Sequence, residues 1–161
     1  MSENKQEIIV MCGLPGSGKS KWAEIYSKAY PEYTVVSTDT IRKEKFGDES
    51  DQSNNWLVFV TAYSKILEII KEGGCAIFDA TNLRKKDRKK IVKFFSDKGV
   101  NLKLVWMATP IEICKLRNKQ RTRVVPEEVI DRMLLSFTEP TLDEGWNEIV
   151  FNKIILYSRE D

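Results

Sequence analysis

Apolar positions in this chain follow two rhythms. In Glu7 to Cys12 (EIIVMC), Cys75 to Asp79 (CAIFD) and Leu102 to Met107 (LKLVWM) they run almost unbroken, as in strands buried on both faces of a parallel sheet. Thr34 to Ser37 predicts a further short strand, and Ile149 to Tyr157 a fifth. Elsewhere the apolar residues are spaced. Trp56, Phe59, Val60, Tyr63, Ile66, Leu67 and Ile70 recur every three or four positions, which predicts a helix with one face on a core, stopped by Gly73-Gly74. Lys19 to Ala29, Asn82 to Gly99 and Pro110 to Arg121 also read as helices. Pro126 opens a last long one, with Ile130, Met133, Leu134 and Phe137 on its buried face. Thr38 to Phe46 begins a segment that runs into the polar loop GDESDQSNN. Strands alternating with helices imply right-handed crossovers and an α/β fold: a parallel five-stranded sheet with helices on both faces. The chain carries no internal repeat.

Composition narrows the chemistry more than the fold. With 161 residues, 1–161 is expected to be a single domain. No apolar span is long enough for a bilayer, and the polar start MSENKQE lacks the pattern of a signal peptide, so a cytoplasmic location is the default expectation. Cys12, Cys75 and Cys114 are odd in number, far apart and in apolar surroundings, which reads as buried free thiols. There is no histidine, so acid/base work falls to carboxylates or lysine. A net charge of +2 is too small to indicate nucleic acid by bulk charge.

The chemistry begins at GLPGSGKS. Gly13, Gly18, Lys19 and Ser20 meet the pattern G-x-x-x-x-G-K-[ST], between a predicted strand and a predicted helix. Gly16 and Gly18 permit backbone angles that turn successive N–H groups inward as an anion nest, and the helix aims its positive end at the same point. Pro15, with no N–H, belongs where none is needed. Gly13 to Ser20, with Leu14, Pro15 and Ser17 among them, therefore forms a candidate phosphate cradle for ATP. Lys19 would reach the β- and γ-phosphates, and the Ser20 hydroxyl would hold Mg²⁺.

Asp79 closes a buried strand, so it should emerge at the carboxyl edge of the sheet, where it can orient Mg²⁺. Asp79, Thr81 or Asn82 can equally cap the next helix. Ala80 stands where hydrolysing motors place a glutamate, and NKQR (Asn118 to Arg121) fails the guanine signature at its last position. In STDTIR, Asp39 is a candidate base for an attacking hydroxyl, with Arg42 one helical turn on as a phosphate ligand; helix capping competes for Asp39. RNKQRTRVVP gathers Arg117, Lys119, Arg121 and Arg123 in a candidate arginine-bearing lid over the transferred phosphoryl group. RKKDRKK, Arg84 to Lys90, is the densest basic run. It reads as a solvated helix face rather than a nucleic-acid track, because no aromatic residues interleave with it.

In that order, the Gly13–Ser20 loop, Asp39 with Arg42, Asp79-Ala80-Thr81-Asn82 and RNKQRTRVVPEEVI resemble the kinase module of 5′-hydroxyl polynucleotide kinases of the phage and bacterial end-healing type, over about Ile8 to Ile149. Related P-loop kinases acting on tRNA-linked or small-molecule hydroxyls share much of the lid and the tail FTEPTLDEGW. The resemblance implies a P-loop NTPase fold, ATP and Mg²⁺ as cofactors, and Asp39 as general base. It puts Arg42 on the acceptor's neighbouring phosphate, Arg121 on the ATP phosphates with Arg117 assisting, and Thr81 and Asn82 on the acceptor side. The connector after Arg121 is a residue shorter than in the phage enzyme, so Arg123 receives no role. No D-x-D phosphatase motif is present, which implies a kinase alone.

The function expected is transfer of the ATP γ-phosphate to a hydroxyl, above all the 5′ end of a polynucleotide. A small-molecule or tRNA-linked acceptor, and a P-loop ATPase or nucleotide switch, remain alternatives. Acceptor identity and oligomeric state lie beyond the sequence.

Overall fold

The computed structural model describes residues 5–153. Their elements follow in the order β1 (Glu7–Cys12), α1 (Lys19–Ala29), β2 (Tyr33–Ser37), α2 (Thr38–Phe46), α3 (Asn55–Lys71), β3 (Cys75–Asp79), α4 (Lys85–Phe95), β4 (Asn101–Met107), α5 (Ile111–Lys119), α6 (Glu127–Ser136), a 3₁₀ turn (Leu142–Glu144) and β5 (Glu148–Asn152). The strands form one parallel sheet in the order β2-β3-β1-β4-β5. β1 lies at its centre, and every residue of it is buried.

Strand alternation sorts the core into two layers. Ile8, Val10, Cys12, Ala76, Phe78, Leu102 and Leu104 face one side, where Ile41, Val58, Ala62, Ile66, Ile91 and Phe95 of α2, α3 and α4 cover them. Ile9, Met11, Ile77, Val105 and Met107 face the other, against Ala23, Trp22 and Tyr26 of α1. Each fully buried side chain of this size contributes about 1.5–3 kcal/mol of burial free energy, so trimming Phe78 or Ile9 would weaken the whole sheet. Among the described residues no helix is long and apolar enough to cross a membrane.

Several predicted boundaries move, for identifiable reasons. The helix expected over Asn82–Gly99 begins at Lys85, because Asn82 sits at φ 45° and Arg84, its N-cap, is extended. Neither Asp79, Thr81 nor Asn82 caps it. Asp39 is not a cap either: Ser37 Oγ accepts the Thr40 N–H at 3.3 Å, which leaves the Asp39 carboxylate for other work. The helix after Pro126 is ten residues and not long; Leu134 on it is 41% exposed, and Phe137 has left it to pack on Trp106 with centroids 5.6 Å apart. β5 starts one residue early and ends at Asn152, leaving Lys153 outside it; the rest of the expected strand, 154–157, lies outside the described residues. All three cysteines are free, Cys12 and Cys114 buried and Cys75 only half so.

Candidate active site

The turn between β1 and α1 is shaped by what cannot fit there. Gly16 (φ 81°) and Gly18 (φ 97°) occupy the left-handed region, and a Cβ on Gly16 would lie 2.3 Å from the Cys114 carbonyl oxygen of α5. The amide of Gly13 donates to Thr81 O at 3.0 Å, and that of Ser17 to Leu14 O at 3.0 Å, so the loop is tied to the β3 side and closed on itself. Leu14 anchors it in a small apolar cluster with Leu83 and Cys114. Ser17 is fully buried, with its carbonyl accepting from Thr109 Oγ1 at 2.8 Å and its own hydroxyl unpartnered. The first amides of α1 have no intrahelical acceptor, so they remain available to phosphate oxygens at this turn.

Lys19 lies at the base of the cup with its Nζ on Leu14 O at 3.0 Å. Burial pulls its ammonium below the ordinary lysine value, and the charges of Asp79 and Asp39 oppose that shift. A phosphate in place of the Leu14 carbonyl would satisfy this buried cation better than a neutral oxygen does. Ser20 Oγ donates to Asp79 Oδ2 at 2.7 Å, joining the start of α1 to the end of β3. A hydroxyl and a carboxylate side by side at the sheet edge are the hard oxygen donors that suit Mg²⁺, which takes few protein ligands and fills its shell with phosphate and water.

Across the opening, α2 presents Asp39. Its Oδ1 accepts from Arg42 Nη1 at 3.1 Å and its Oδ2 from Arg123 Nη1 at 2.9 Å, while the side chain keeps 47% of its surface exposed. Arg42, on the next turn, is buried and also donates to Asn55 Oδ1 at 3.1 Å. A cleft of about 450 Å³ joins these groups to Pro15, Lys19 and Thr81, with Phe59, Val129 and Met133 as its apolar wall.

Arg121 and Arg123 lie on the connector between α5 and α6, and Arg121 lines that cleft as well as a second cavity of about 590 Å³ bordered by Gly18, Lys21, Trp22 and Arg117. The connector is shaped by Asn118. This fully buried amide donates to Val125 O at 2.6 Å and accepts from Val125 N at 3.0 Å and from Arg121 Nη2 at 2.9 Å. Arg117 stands close to the cup: a Cβ on Gly18 would come within 3.6 Å of its Nη1.

With this geometry in view, the family model described as AAA domain matches residues 8–140. The chain belongs to that family. Among curated proteins it is similar to the L-seryl-tRNA(Sec) kinase of Methanococcus maripaludis, at 27% identity over 150 residues covering 87% of this chain and 56% of that protein. The chain thus spans about half the length of that relative. Among solved structures it superimposes on a chain of the Pnkp1/Rnl/Hen1 RNA repair complex with a TM-score of 0.75, at 19% identity over 84% of this chain and 45% of that one. A gluconokinase from Sinorhizobium meliloti 1021 follows the same fold, with a TM-score of 0.62 and 19% identity over 96% of this chain and 86% of that chain. The AAA domain described here therefore has the fold of the P-loop kinases.

Two expected placements change inside this AAA domain. Thr81 lines the cleft, but Asn82 does not: it is buried, and its Nδ2 donates to Met11 O at 2.8 Å. Nor is RKKDRKK wholly solvated. Arg88 is completely buried, paired with both oxygens of Glu144 through Nε at 2.8 Å and Nη2 at 3.0 Å. Its remaining donors take Asn82 O at 3.1 Å, Leu83 O at 2.7 Å and Thr138 O at 2.8 Å. Cys12 joins from the other side, its thiol donating to Asn82 O at 3.3 Å; burial pushes that thiol up to about 12, so it stays a donor. This polar knot holds the segment after Asp79 in place and accounts for the tail FTEPTLDEGW, whose Glu144 caps Thr141 and accepts from Trp146 Nε1 at 3.1 Å. Two signals were available in the sequence: the apolar phase of α4, in which Arg88 lies three residues before Ile91, and an acidic residue in an aromatic-flanked tail.

Proposed function

We propose that the protein is an ATP- and Mg²⁺-dependent kinase that transfers the γ-phosphate to a hydroxyl, foremost the 5′-hydroxyl end of a polynucleotide. The observation that carries the reading is the Asp39–Arg42 pair set in the same cleft as Lys19, Ser20 and Asp79. Amides of Gly13 to Ser20 and the Lys19 ammonium would hold the β- and γ-phosphates, and Arg121 would neutralise charge on the migrating group, with Arg117 at the nucleotide side. Mg²⁺, when bound by Ser20 and Asp79, supplies electrostatic stabilisation of the phosphate oxygens. Asp39 would take the acceptor's proton as its oxygen bonds to phosphorus and ADP departs. Arg42 and Thr81 would meet the acceptor, the guanidinium on a phosphate next to the attacked hydroxyl.

A tRNA-linked or small-molecule acceptor is the second reading, favoured by the similarity to a protein named as a seryl-tRNA kinase. A hydrolytic switch is disfavoured by Ala80, which leaves no water-activating carboxylate beside Asp79. The deciding experiment incubates labelled ATP with 5′-hydroxyl DNA and RNA, nucleosides, sugars and tRNA. Label on an oligonucleotide end that disappears in D39N, with ATP binding retained, supports the first reading. Label confined to aminoacyl-tRNA or a small molecule selects the second, and full transfer by D39N rejects Asp39 as the base.

A further inference from the structure

Both oxygens of Asp39 are engaged, Oδ1 by Arg42 and Oδ2 by Arg123, while 47% of the side chain stays exposed. The two contacts differ in origin. Arg42 sits one turn along the same helix and is held there by Asn55 as well. Arg123 arrives from the α5–α6 connector, 84 residues away in sequence, on a stretch tied back through Asn118. Among the described residues both guanidiniums keep a buried Nε–H without a partner, and both residues line the cleft. Leaving a buried charged donor unpaired is costly, so a shift of the side chain onto an oxyanion entering that cleft would gain a hydrogen bond that the present arrangement lacks.

We infer that Arg123 is a specificity-determining residue on the acceptor side. With no acceptor bound it occupies Asp39 Oδ2 and competes with a reacting water for that oxygen; an acceptor bearing a phosphate beside its hydroxyl draws Arg123 onto that phosphate and frees Oδ2. The reaction suppressed is hydrolysis. Water oxygen bonds to the γ-phosphorus, the bond from phosphorus to the β,γ-bridging oxygen breaks, ADP leaves with the electron pair, and the water proton passes to Asp39. The reaction permitted is the same displacement with the acceptor hydroxyl in place of water. The inference rests on the proposed kinase reading with Asp39 as base, and it assigns Arg123 to a different ligand from Arg121.

The test follows ADP release without acceptor, and with a nucleoside 3′-monophosphate, for wild type, R123Q, R123K, D39N and the double variant D39N/R123Q. R123Q is expected to raise acceptor-free hydrolysis about tenfold and to raise the KM for the 3′-monophosphate by about as much, the worth of one charge-assisted hydrogen bond. The KM for ATP stays at the wild-type value, R123K falls between, and the double variant loses the extra hydrolysis. Acceptor-free hydrolysis in R123Q no faster than in wild type overturns the inference, as does a KM for ATP that rises as far as that for the acceptor. Because the hydrolysis measurement needs no acceptor, it decides the role of Arg123 whichever hydroxyl is phosphorylated. An inactive D39N together with unchanged R123Q hydrolysis overturns this inference alone, whereas an active D39N rejects the assignment of Asp39 as base on which it rests.

Discussion

Two stretches of similar composition, Arg84 to Lys90 and Arg117 to Arg123, meet opposite fates in this fold. In the first, Arg88 is swallowed whole and every donor of its guanidinium is satisfied by protein oxygens. In the second, Arg121 stays exposed at the rim of the cleft, and Arg123 retains a buried Nε without a partner among the described residues. Charge count does not separate the two. What separates them is whether the fold saturates the cation or leaves it donors for a ligand: a saturated guanidinium organises backbone, whereas an unsaturated one can bind anions.

That contrast is open to direct attack, beginning where the effect is largest. R121A should lower phosphoryl transfer by roughly 10³ while leaving the melting temperature unchanged; equal activity in single-turnover assays would remove Arg121 from the chemistry. R88M, which strands Glu144 in the interior, should cost about 3–5 kcal/mol in urea unfolding. The double variant R88M/E144L should recover only the part owed to the stranded charge, because Asn82 O, Leu83 O, Thr138 O and Trp146 Nε1 still lose their partners. Wild-type unfolding in R88M would show that the first stretch is not structural after all.

Acid titration gives a smaller effect. Burial by itself would raise the Glu144 carboxyl, but hydrogen bonds from Arg88 and Trp146 and the Arg88 charge outweigh it and hold the group below its ordinary value. A carboxyl lowered in the folded state lends stability that is complete above the unfolded value of about 4.5 and is lost as pH falls through the folded one. Urea midpoints measured downward from pH 6 should therefore drop more steeply for wild type than for E144Q. The smallest effect belongs to the exposed lysines of the first stretch. K86S/K89S/K90S should change stability by no more than about 0.5 kcal/mol and leave nucleotide binding as it was; a weakened oligonucleotide affinity would instead make that face a nucleic-acid contact.

Legibility in the sequence tracked the range of the interactions concerned. The turn proposed as the phosphate cradle could be read residue by residue, because Gly13 to Ser20 are neighbours and their conformations are set by local sterics and the start of α1. The placement of Asp79 was readable as the end of a buried run. Asp39 was half readable: its competitor for the cap, Ser37, is equally good on local grounds, and the structure shows that Ser37 takes it. The surroundings of Asn82 and Arg123 are not legible in the sequence, for one reason. The partner of Asn82 is 71 residues away and that of Arg123 is 84, and no spacing rule reaches so far.

The amino-acid order alone determined the strands, the helices, the parallel architecture and the anion cup, since each follows from periodicity or from backbone sterics over a few residues. Tertiary structure decided which polar groups are sealed inside and which keep a free valence at the cleft. Arg88 and Glu144, separated by 56 residues, lose their water together, whereas Arg42 and Arg123 converge on one carboxylate with donors left over. Saturation of a charged group depends on every oxygen within reach after folding, and that set is assembled from distant parts of the chain.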